Sequence, residues 1–219
     1  MTLTTQTAAL DSLPIFPLPD VVLLPGAVLP LNVFEPRYRD MTRDALAGER
    51  LLGMARLLPG YQQDYAGRPP VHDIVGLGRI VTTNETDDGR YHLLLRGIAR
   101  VRIVEELPPD HSYRRVRAEI LDSERSTRPQ TLTSGGEQLI AMSDRLADAV
   151  DGASGLRNIV REAETPGACA DLISAALLAD PEERQRLLEM LDPADRVDRV
   201  IELLARATAE LGGESDLLN

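Results

Sequence analysis

The side chains that most often bind metals or perform catalysis are few in this sequence and lie far apart. The three histidines, His72, His92 and His111, have no carboxylate partner at a metal-binding spacing such as i, i+4 on a helix. The single cysteine, Cys169, rules out an intrachain disulfide and a cysteine-based metal cluster. We predict that Cys169 is a buried, unreactive thiol and that the chain uses no metal or cofactor.

Nucleophile and phosphate-binding motifs are missing as well. Ser134 precedes two glycines, but the G-x-S-x-G nucleophile elbow does not occur in the sequence. All 24 basic residues are arginine, and there is no lysine. This chain therefore cannot form a Walker phosphate-binding loop, a Schiff-base lysine or a Ser–Lys dyad. We predict that it is not an enzyme.

A loop at residues 59–72 carries the best candidates for binding a partner. It holds Tyr61 and Tyr65 among polar, glycine and proline residues. Tyrosine is favoured in protein contact surfaces because it is rigid and amphipathic, and loops on a rigid scaffold commonly carry function. We predict that Leu58, Tyr61 and Tyr65 contact a polypeptide partner. The alternative is that one or both tyrosine rings cover an end of the β-structure.

The net charge of −11 is concentrated in the second half of the chain. Residues 1–121 carry 14 Arg against 15 Asp and Glu, whereas residues 122–219 carry 10 Arg against 20 Asp and Glu. Nucleic-acid affinity depends on neutralising phosphates, so this balance argues against a nucleic-acid partner. The sequence has no apolar run long enough to span a membrane and no signal-peptide pattern. We predict a cytoplasmic protein without a membrane partner.

The segment of residues 13–38 determines how the first half folds. It contains six of the fifteen prolines among Leu, Val, Ile and Phe, and proline disfavours both a helix interior and a central strand. We therefore expect short extended pieces joined by turns. Pro25-Gly26 fits the middle of a type II turn, and residues 29–34 alternate as a short strand. Pro36 can begin a helix, which is predicted to end at Gly48.

Short strands account for the rest of the first half. The pattern predicts strands at residues 50–58, 74–83, 91–96, 100–106 and 115–121. The sequence Asp-Asp-Gly at residues 87–89 predicts a hairpin turn between two of these strands. The clean alternation of residues 115–121 indicates a sheet with one solvent-facing side.

From residue 122 onward the pattern is helical. Asp180 and Asp192 each precede a proline and fit the N-caps of two helices, and two glycines at residues 212–213 are predicted to end the last helix. The predicted fold class is α+β, with strands and helices segregated along the chain. We predict a tail at residues 1–11, a β-barrel subdomain at 12–121, a linker at 122–131 and a helical bundle at 132–212.

The order of these elements resembles the N-terminal substrate-recognition domain family of Lon proteases. The string LPLNVFEPRY after a proline-glycine turn is similar to the family's opening, and DGRYHLLLRGIARVRI at residues 88–103 is similar to its later signature. The helices that follow are similar too, so the resemblance covers residues 12–210. The matching motif residues are Pro25, Gly26, Glu35, Pro36, Arg37, Tyr38, Gly89, Arg90, Gly97 and Arg100.

The resemblance implies a PUA-like β pseudo-barrel with one helix, followed by a helical bundle. It also implies a non-catalytic module that binds unfolded or partner polypeptides, with a separate ATPase or protease as a candidate partner. The sequence contains neither the ATPase nor the Ser–Lys protease module, so we expect a stand-alone member. We expect Arg37 to pair with a carboxylate such as Glu35, and Tyr38 to pack into the barrel. The alternatives are a nucleic-acid-binding PUA-like module and a hydrolase with an unrecognised site.

Overall fold

A computed structural model describes residues 9–64, 67–149 and 155–216 of the chain. The chain divides into two compact units, and the boundary lies between Asp122 and Ser123. Strands and one helix form the described part of the first unit, and helices form that of the second. This arrangement confirms the predicted α+β class with segregated strands and helices.

The elements of the two units follow the predicted order. In the first unit they are β1 (Ala9–Leu18), β2 (Val28–Val33), α1 (Pro36–Ala47), β3 (Leu51–Arg56), a 3-10 turn (Tyr61–Asp64), β4 (Ile74–Glu85), β5 (Tyr91–Glu106) and β6 (Arg114–Leu121). In the second unit they are α2 (Pro129–Ala149), α3 (Gly155–Glu162), α4 (Pro166–Leu177), α5 (Pro181–Glu189) and α6 (Pro193–Asp216). Residues 9–11, which we assigned to the tail, begin β1, and α2 begins inside the predicted linker.

The strands form one sheet that closes on itself through its longest member. The strand order is β2-β5-β4-β3-β1-β6, and β5 also pairs with β6. The first part of β5 pairs with β2 and its last part pairs with β6, so one strand serves both ladders. Closure through β5 gives the pseudo-barrel that the resemblance implies. The predicted break near Gly97 is wrong, because Gly97 pairs with Gly78 inside a continuous β5.

Strand β1 corrects the expectation that the proline-rich segment avoids a central strand. β1 lies between β3 and β6 although it contains Pro14 and Pro17. Its ladder with β6 ends at Ile15 and its ladder with β3 begins there. Pro14 therefore has a partner strand only on the β6 side, and Pro17 only on the β3 side. Each proline can turn its nitrogen, which has no hydrogen to donate, toward the side without a ladder.

The segment between β1 and β2 packs closely against the strands through glycine positions. Leu23 and Leu24 are 2% and 1% exposed. A Cβ added to Gly76 would lie 2.0 Å from the carbonyl oxygen of Leu23, and one added to Gly97 would lie 2.2 Å from that of Leu24. These strand glycines therefore make room for a crossing backbone. The predicted type II turn is confirmed: Gly26 has φ +81°, and the Ala27 N–H donates to the Leu24 carbonyl at 3.2 Å.

Helix α1 begins at Pro36 and ends at Ala47, as predicted. Tyr38, Met41 and Ala45 are buried in a core with residues of β1 to β5. The Tyr38 ring lies 4.2 Å from the Phe16 ring, centroid to centroid. Three consecutive turns of α1 contribute to this core. The position of the helix, and of Glu35 just before it, is therefore fixed.

Close helix contacts and one buried ion pair stabilise the second unit. A Cβ on Gly135 of α2 would lie 2.8 Å from Val197 of α6, so glycine allows these two helices to approach closely. Arg196 is fully buried, and its guanidinium lies 3.3 Å from the carboxylate of Asp171. The apolar core residues include Leu139, Leu146, Leu156, Ile173, Leu187, Val197, Val200 and Leu204.

The predicted N-caps are confirmed, but the predicted helix end is wrong. The Asp180 carboxylate accepts from the Glu182 N–H at 3.0 Å, and that of Asp192 accepts from the Ala194 N–H at 2.9 Å. Helix α6 continues through Gly212 and Gly213 to Asp216. Glycine costs about 1 kcal/mol in a helix interior, but it keeps its N–H and can adopt helical dihedrals, so it does not by itself end a helix.

Candidate functional site

No metal-binding cluster occurs in the part of the chain that the structure describes. No group of three or more His, Cys, Asp or Glu side chains there could hold a metal ion. Cys169 is 4% exposed, and burial raises the pKa of its thiol to about 11. The thiol is therefore protonated and unreactive near neutral pH, as predicted. Within the same residues, no helix is both long enough and apolar enough to cross a lipid bilayer.

An apolar surface lies on the outer side of β2 and its neighbours. Along β2 and the next residue, burial alternates with a period of two, so that Val28, Pro30 and Phe34 face outward. Pro30 lies opposite Leu94 of β5, and Leu94 lies opposite Thr82 of β4. Val81 lies just before Thr82, at a shift in the register between β4 and β5, and its side chain is also exposed. We call Val28, Pro30, Phe34, Val81 and Leu94 the strand face.

The side chains of the strand face are highly exposed for apolar residues. Phe34 is 59% exposed, Val28 55% and Leu94 38%. Their neighbours in sequence face the other way, since Val33 and Leu95 are 1% and 0% exposed. Large apolar side chains grouped on one outer surface are typical of an interaction site. The same surface carries exposed arginines, because Val28 lies opposite Arg96 and Arg96 opposite Arg79.

A separate cleft of about 270 Å³ lies in the first unit, next to the start of α1. Four segments contribute to its walls: the end of β1, the first turn of α1, the connection between β3 and β4, and the connection between β5 and β6. The lining residues that matter here are Pro17, Arg37, Leu57, Arg68, His111 and Arg114. We call this space the Arg37 cleft.

Hydrogen bonds hold the walls of the Arg37 cleft in place. Arg114 binds the Glu106 carboxylate through two nitrogens, at 2.7 and 2.9 Å, and donates to the Pro69 carbonyl at 2.7 Å. The Tyr113 hydroxyl donates to the Asp44 carboxylate of α1 at 2.7 Å. Burial first, and then this hydrogen bond, raise the pKa of Tyr113 well above its ordinary value. The phenol therefore stays protonated and donating.

The structure brings some of the predicted partner-binding residues near the cleft but not into it. Tyr61 is half-buried at the start of the 3-10 turn, and Leu58 is half-buried beside it, with its N–H donating to the Pro70 carbonyl at 2.9 Å. Neither residue lines the Arg37 cleft, whereas Arg68 of the same loop does. Tyr65 lies outside the described residues. The role of Leu58, Tyr61 and Tyr65 in binding stays a prediction.

The motif residues take part in local contacts and turns of the first unit. Arg37 pairs with Glu35 at 3.0 Å, and its guanidinium lies over the Tyr38 ring, 4.6 Å from the centroid. Gly89 adopts φ +74° in the hairpin turn, where Arg90 pairs with Asp88 at 2.9 Å.

Further along β5, Arg100 is fully buried. Its backbone pairs with Gly76 on one side and with Leu121 on the other. The guanidinium therefore lies inside the first unit, where it cannot contact a partner.

Sequence reasoning missed the strand face. The alternation of residues 29–34 predicts a strand, but it does not by itself mark the outward members of that strand as a binding surface. The signal was present in the residue types, because an outward phenylalanine and valine on a short strand are unusual for a solvent-facing side.

Comparison with known proteins decides the family. The family model of the ATP-dependent protease La (LON) substrate-binding domain matches residues 12–206. The chain belongs to this family. The Lon protease of Desulfosudis oleivorans is 26% identical over 191 residues, which are 87% of this chain and 23% of that protein. Lon protease 2 of Myxococcus xanthus is 28% identical over 195 residues, which are 89% of this chain and 23% of that protein. The chain thus spans about a quarter of the length of these relatives.

Solved structures of Lon N-terminal domains have the same fold. The N-terminal domain of the Mycobacterium avium complex Lon protease gives a TM-score of 0.66 at 22% identity, over 89% of this chain and 98% of that one. The Lon N-terminal domain protein of Xanthomonas campestris gives 0.61 at 27% identity, over 88% and 98%. These likenesses confirm the Lon N-terminal fold that the sequence motifs predict.

Proposed function

We propose that this Lon-family domain is a non-catalytic module that binds unfolded or partner polypeptides through the strand face. The single observation that carries the proposal is the outward exposure of Val28, Phe34 and Leu94 on one side of the β2–β5 ladder. Burying each such side chain against a ligand is worth roughly 1.5–3 kcal/mol when burial is complete. Because these side chains are already partly buried and micromolar binding requires about 8 kcal/mol, their partial burial supports weak binding of an apolar segment.

The shape of the strand face favours an extended or unfolded polypeptide. Its apolar side chains stand on neighbouring strands, with polar Asn32 and His92 paired beside them. The surface combines these apolar side chains with polar groups, the exposed Arg79 and Arg96 among them, and we infer that it selects apolar content more than one particular sequence. Pro30 lacks an N–H, which weakens β2 as a template for adding another strand. We infer that the ligand binds through its side chains.

We further propose that the bound polypeptide is passed to an ATPase and protease, either in a separate protein or in the same assembly. The family assignment supports this proposal, since the relatives are proteases and the matched region is about 23% of their length. The domain itself would work in the cytoplasm as a holder of substrate and would hydrolyse nothing.

A binding assay with matched surface variants tests the proposal. The ligand is a fluorescent, permanently unfolded protein whose cysteines have been carboxymethylated, and the readout is fluorescence anisotropy. The variant combines Val28→Ser, Phe34→Ser and Leu94→Ser. The control combines Val104→Ser and Ile140→Ser, which are exposed to a similar degree, 45% each, but lie elsewhere. We expect the variant to lose about tenfold or more in affinity and the control to bind like the unaltered protein. Equal binding by all three proteins would contradict the proposal.

A further inference from the structure

The Arg37 cleft contains a guanidinium that is fixed in position but only partly used. The Arg37 Nε donates to the Glu35 carboxylate at 3.0 Å, and its Nη2 lies 3.0 Å from the same carboxylate. The plane of the guanidinium is held over the Tyr38 ring, 4.6 Å from the centroid. Among the described residues, no protein acceptor binds the third nitrogen, Nη1. A donor that is oriented in this way can bind an anion without losing further side-chain freedom.

His111 in the same cleft is held in a similar manner. Its Nδ1 lies 3.1 Å from the Asp110 carboxylate, and its ring packs edge-on against Tyr113 with centroids 5.3 Å apart. In the described structure no protein group binds Nε2. Among the described residues, Arg37 and His111 each have one carboxylate partner, one aromatic partner and one nitrogen that no protein group binds, and both line the same cleft.

The charges around the cleft favour an anion. Glu106 is compensated by Arg114 at 2.7 Å and by Arg68 at 3.0 Å. Asp110 is bound by Arg115 through two contacts, at 2.7 and 2.8 Å, which together with His111 lower the pKa of Asp110 to about 2. Three arginines, Arg37, Arg68 and Arg114, line the cleft, and among the described residues no carboxylate does. The surface of the cleft is therefore basic in a chain whose net charge is −11.

The size and the floor of the cleft narrow the class of ligand. Its volume of about 270 Å³ is slightly below the range of roughly 300–1,000 Å³ for small-molecule pockets, so it holds little more than one amino-acid residue. Pro17 and Leu57 give it an apolar surface beside Arg37 and His111. An acidic residue within a chain would bring backbone into the cleft from both sides, whereas a C-terminal residue brings backbone from one side only. The small volume therefore favours a C-terminal residue.

We propose that the Arg37 cleft binds the C-terminal residue of a polypeptide, with the α-carboxylate on Arg37 Nη1 beside His111, and an apolar side chain against Leu57. The inference uses the proposed function only in taking the ligand to be a polypeptide. It concerns a different surface from the strand face. Capture of a C-terminal carboxylate is a known mode of peptide binding, and an arginine guanidinium makes strong hydrogen bonds to a carboxylate.

The test uses three fluorescent eight-residue peptides and the unaltered protein, read by anisotropy. The first peptide ends in leucine with a free carboxylate, the second has the same sequence with a C-terminal amide, and the third is an amide with glutamate at an internal position. We expect the free acid to bind about tenfold tighter than either amide. Equal affinity of the acid and its amide would overturn the proposal. So would binding of the internal-glutamate amide as tight as that of the acid, which would assign the cleft to acidic side chains.

Variants then locate the effect. Arg37→Gln should abolish the difference between the acid and its amide, whereas Arg90→Gln, at an exposed arginine that is also paired with a nearby carboxylate, should keep it. The triple strand-face variant should keep the difference as well, even where it no longer binds unfolded protein. If Arg37→Gln preserved the difference, the cleft assignment would be wrong. Because the acid–amide comparison is made on the unaltered protein, it is decisive whatever the stability of the variants.

Discussion

Leu94 of β5 lies directly opposite Pro30 of β2, and both side chains face outward from the barrel. This pair stands at the middle of the strand face, with Val28 and Phe34 on either side of Pro30 along the chain. The proline and the leucine together form an apolar contact surface across two neighbouring strands. Because proline has no backbone N–H, the edge of β2 also lacks one hydrogen-bond donor at this position. The pair therefore favours binding of apolar side chains over growth of the sheet.

Leu94 and Leu95 provide a matched pair that separates binding from stability. Leu94→Ser should reduce affinity for unfolded protein about threefold to tenfold, and change the free energy of unfolding by no more than about 0.5 kcal/mol. Leu95 is 0% exposed, so Leu95→Ser should cost roughly 3–5 kcal/mol of stability. Urea denaturation and anisotropy on the same preparations measure both effects. A strongly destabilised Leu94→Ser variant would show that Leu94 belongs to the core.

The loop prediction has its own test at Tyr61. If its ring contacts the partner, Tyr61→Ala should weaken binding of the unfolded protein about fivefold, equivalent to ~1 kcal/mol, while Tyr61→Phe keeps most of the affinity. The alternative, in which the ring covers an end of the barrel, predicts lower stability and unchanged affinity for Tyr61→Ala. Thermal unfolding alongside anisotropy distinguishes the two roles.

Gly97 is expected to tolerate no side chain. A Cβ there would lie 2.2 Å from the Leu24 carbonyl oxygen, which belongs to the backbone and cannot rotate away. We expect Gly97→Ala to destabilise the first unit by about 1–3 kcal/mol or more. Gly155→Ala is the control, because an added Cβ at Gly155 has no neighbour within 4 Å in the described structure. In chemical denaturation, the midpoint of Gly97→Ala should be lower than that of Gly155→Ala. Equal midpoints for the two variants would refute the close approach.

Asp192 should make the stability of the second unit depend on pH. Burial alone would raise its pKa, but hydrogen bonds from Thr127, Ala194 and Ser126 outweigh that effect and hold the pKa of Asp192 well below its ordinary value. The carboxylate therefore stabilises the fold above the unfolded-state pKa of about 4, and this contribution is lost as pH falls through the lower, folded-state pKa.

Replacing Asp192 tests this linkage. Asp192→Ala should cost roughly 1–2 kcal/mol near neutral pH, where the cap is charged. The difference from the unaltered protein should shrink progressively as pH is lowered below about 4. Unfolding measured at a series of pH values checks the trend. A difference that stays constant from neutral pH to the acid limit would contradict the assignment of the stabilisation to the charged cap.

The sequence was most informative where one residue type fixes the local backbone. Pro36 determined the start of α1, Pro25-Gly26 the turn, and Asp180 and Asp192 the caps, because each acts through neighbouring atoms in the chain. The order of elements then matched a known family.

Features that depend on pairing between distant segments could not be predicted. The place of β1 between two strands depends on a change of partner at Ile15, which no local pattern records. The Arg37 cleft joins four segments that are far apart in sequence, so its lining could not be anticipated. Helix α6 passed through two glycines because the helical backbone tolerates them, whereas sequence rules treat glycine as an end.

Site-specific photo-crosslinking tests the central claim, binding of unfolded polypeptide on the strand face, most directly. A photoreactive phenylalanine placed at Phe34 keeps the ring that the surface already exposes, and the same residue at Val104 serves as the control, since Val104 is also exposed. On illumination with the labelled unfolded protein, we predict a strong adduct from position 34, little from position 104, and competition of the first by unlabelled unfolded protein. Equal adducts from both positions, or none from position 34 under conditions where anisotropy reports binding, would contradict the account.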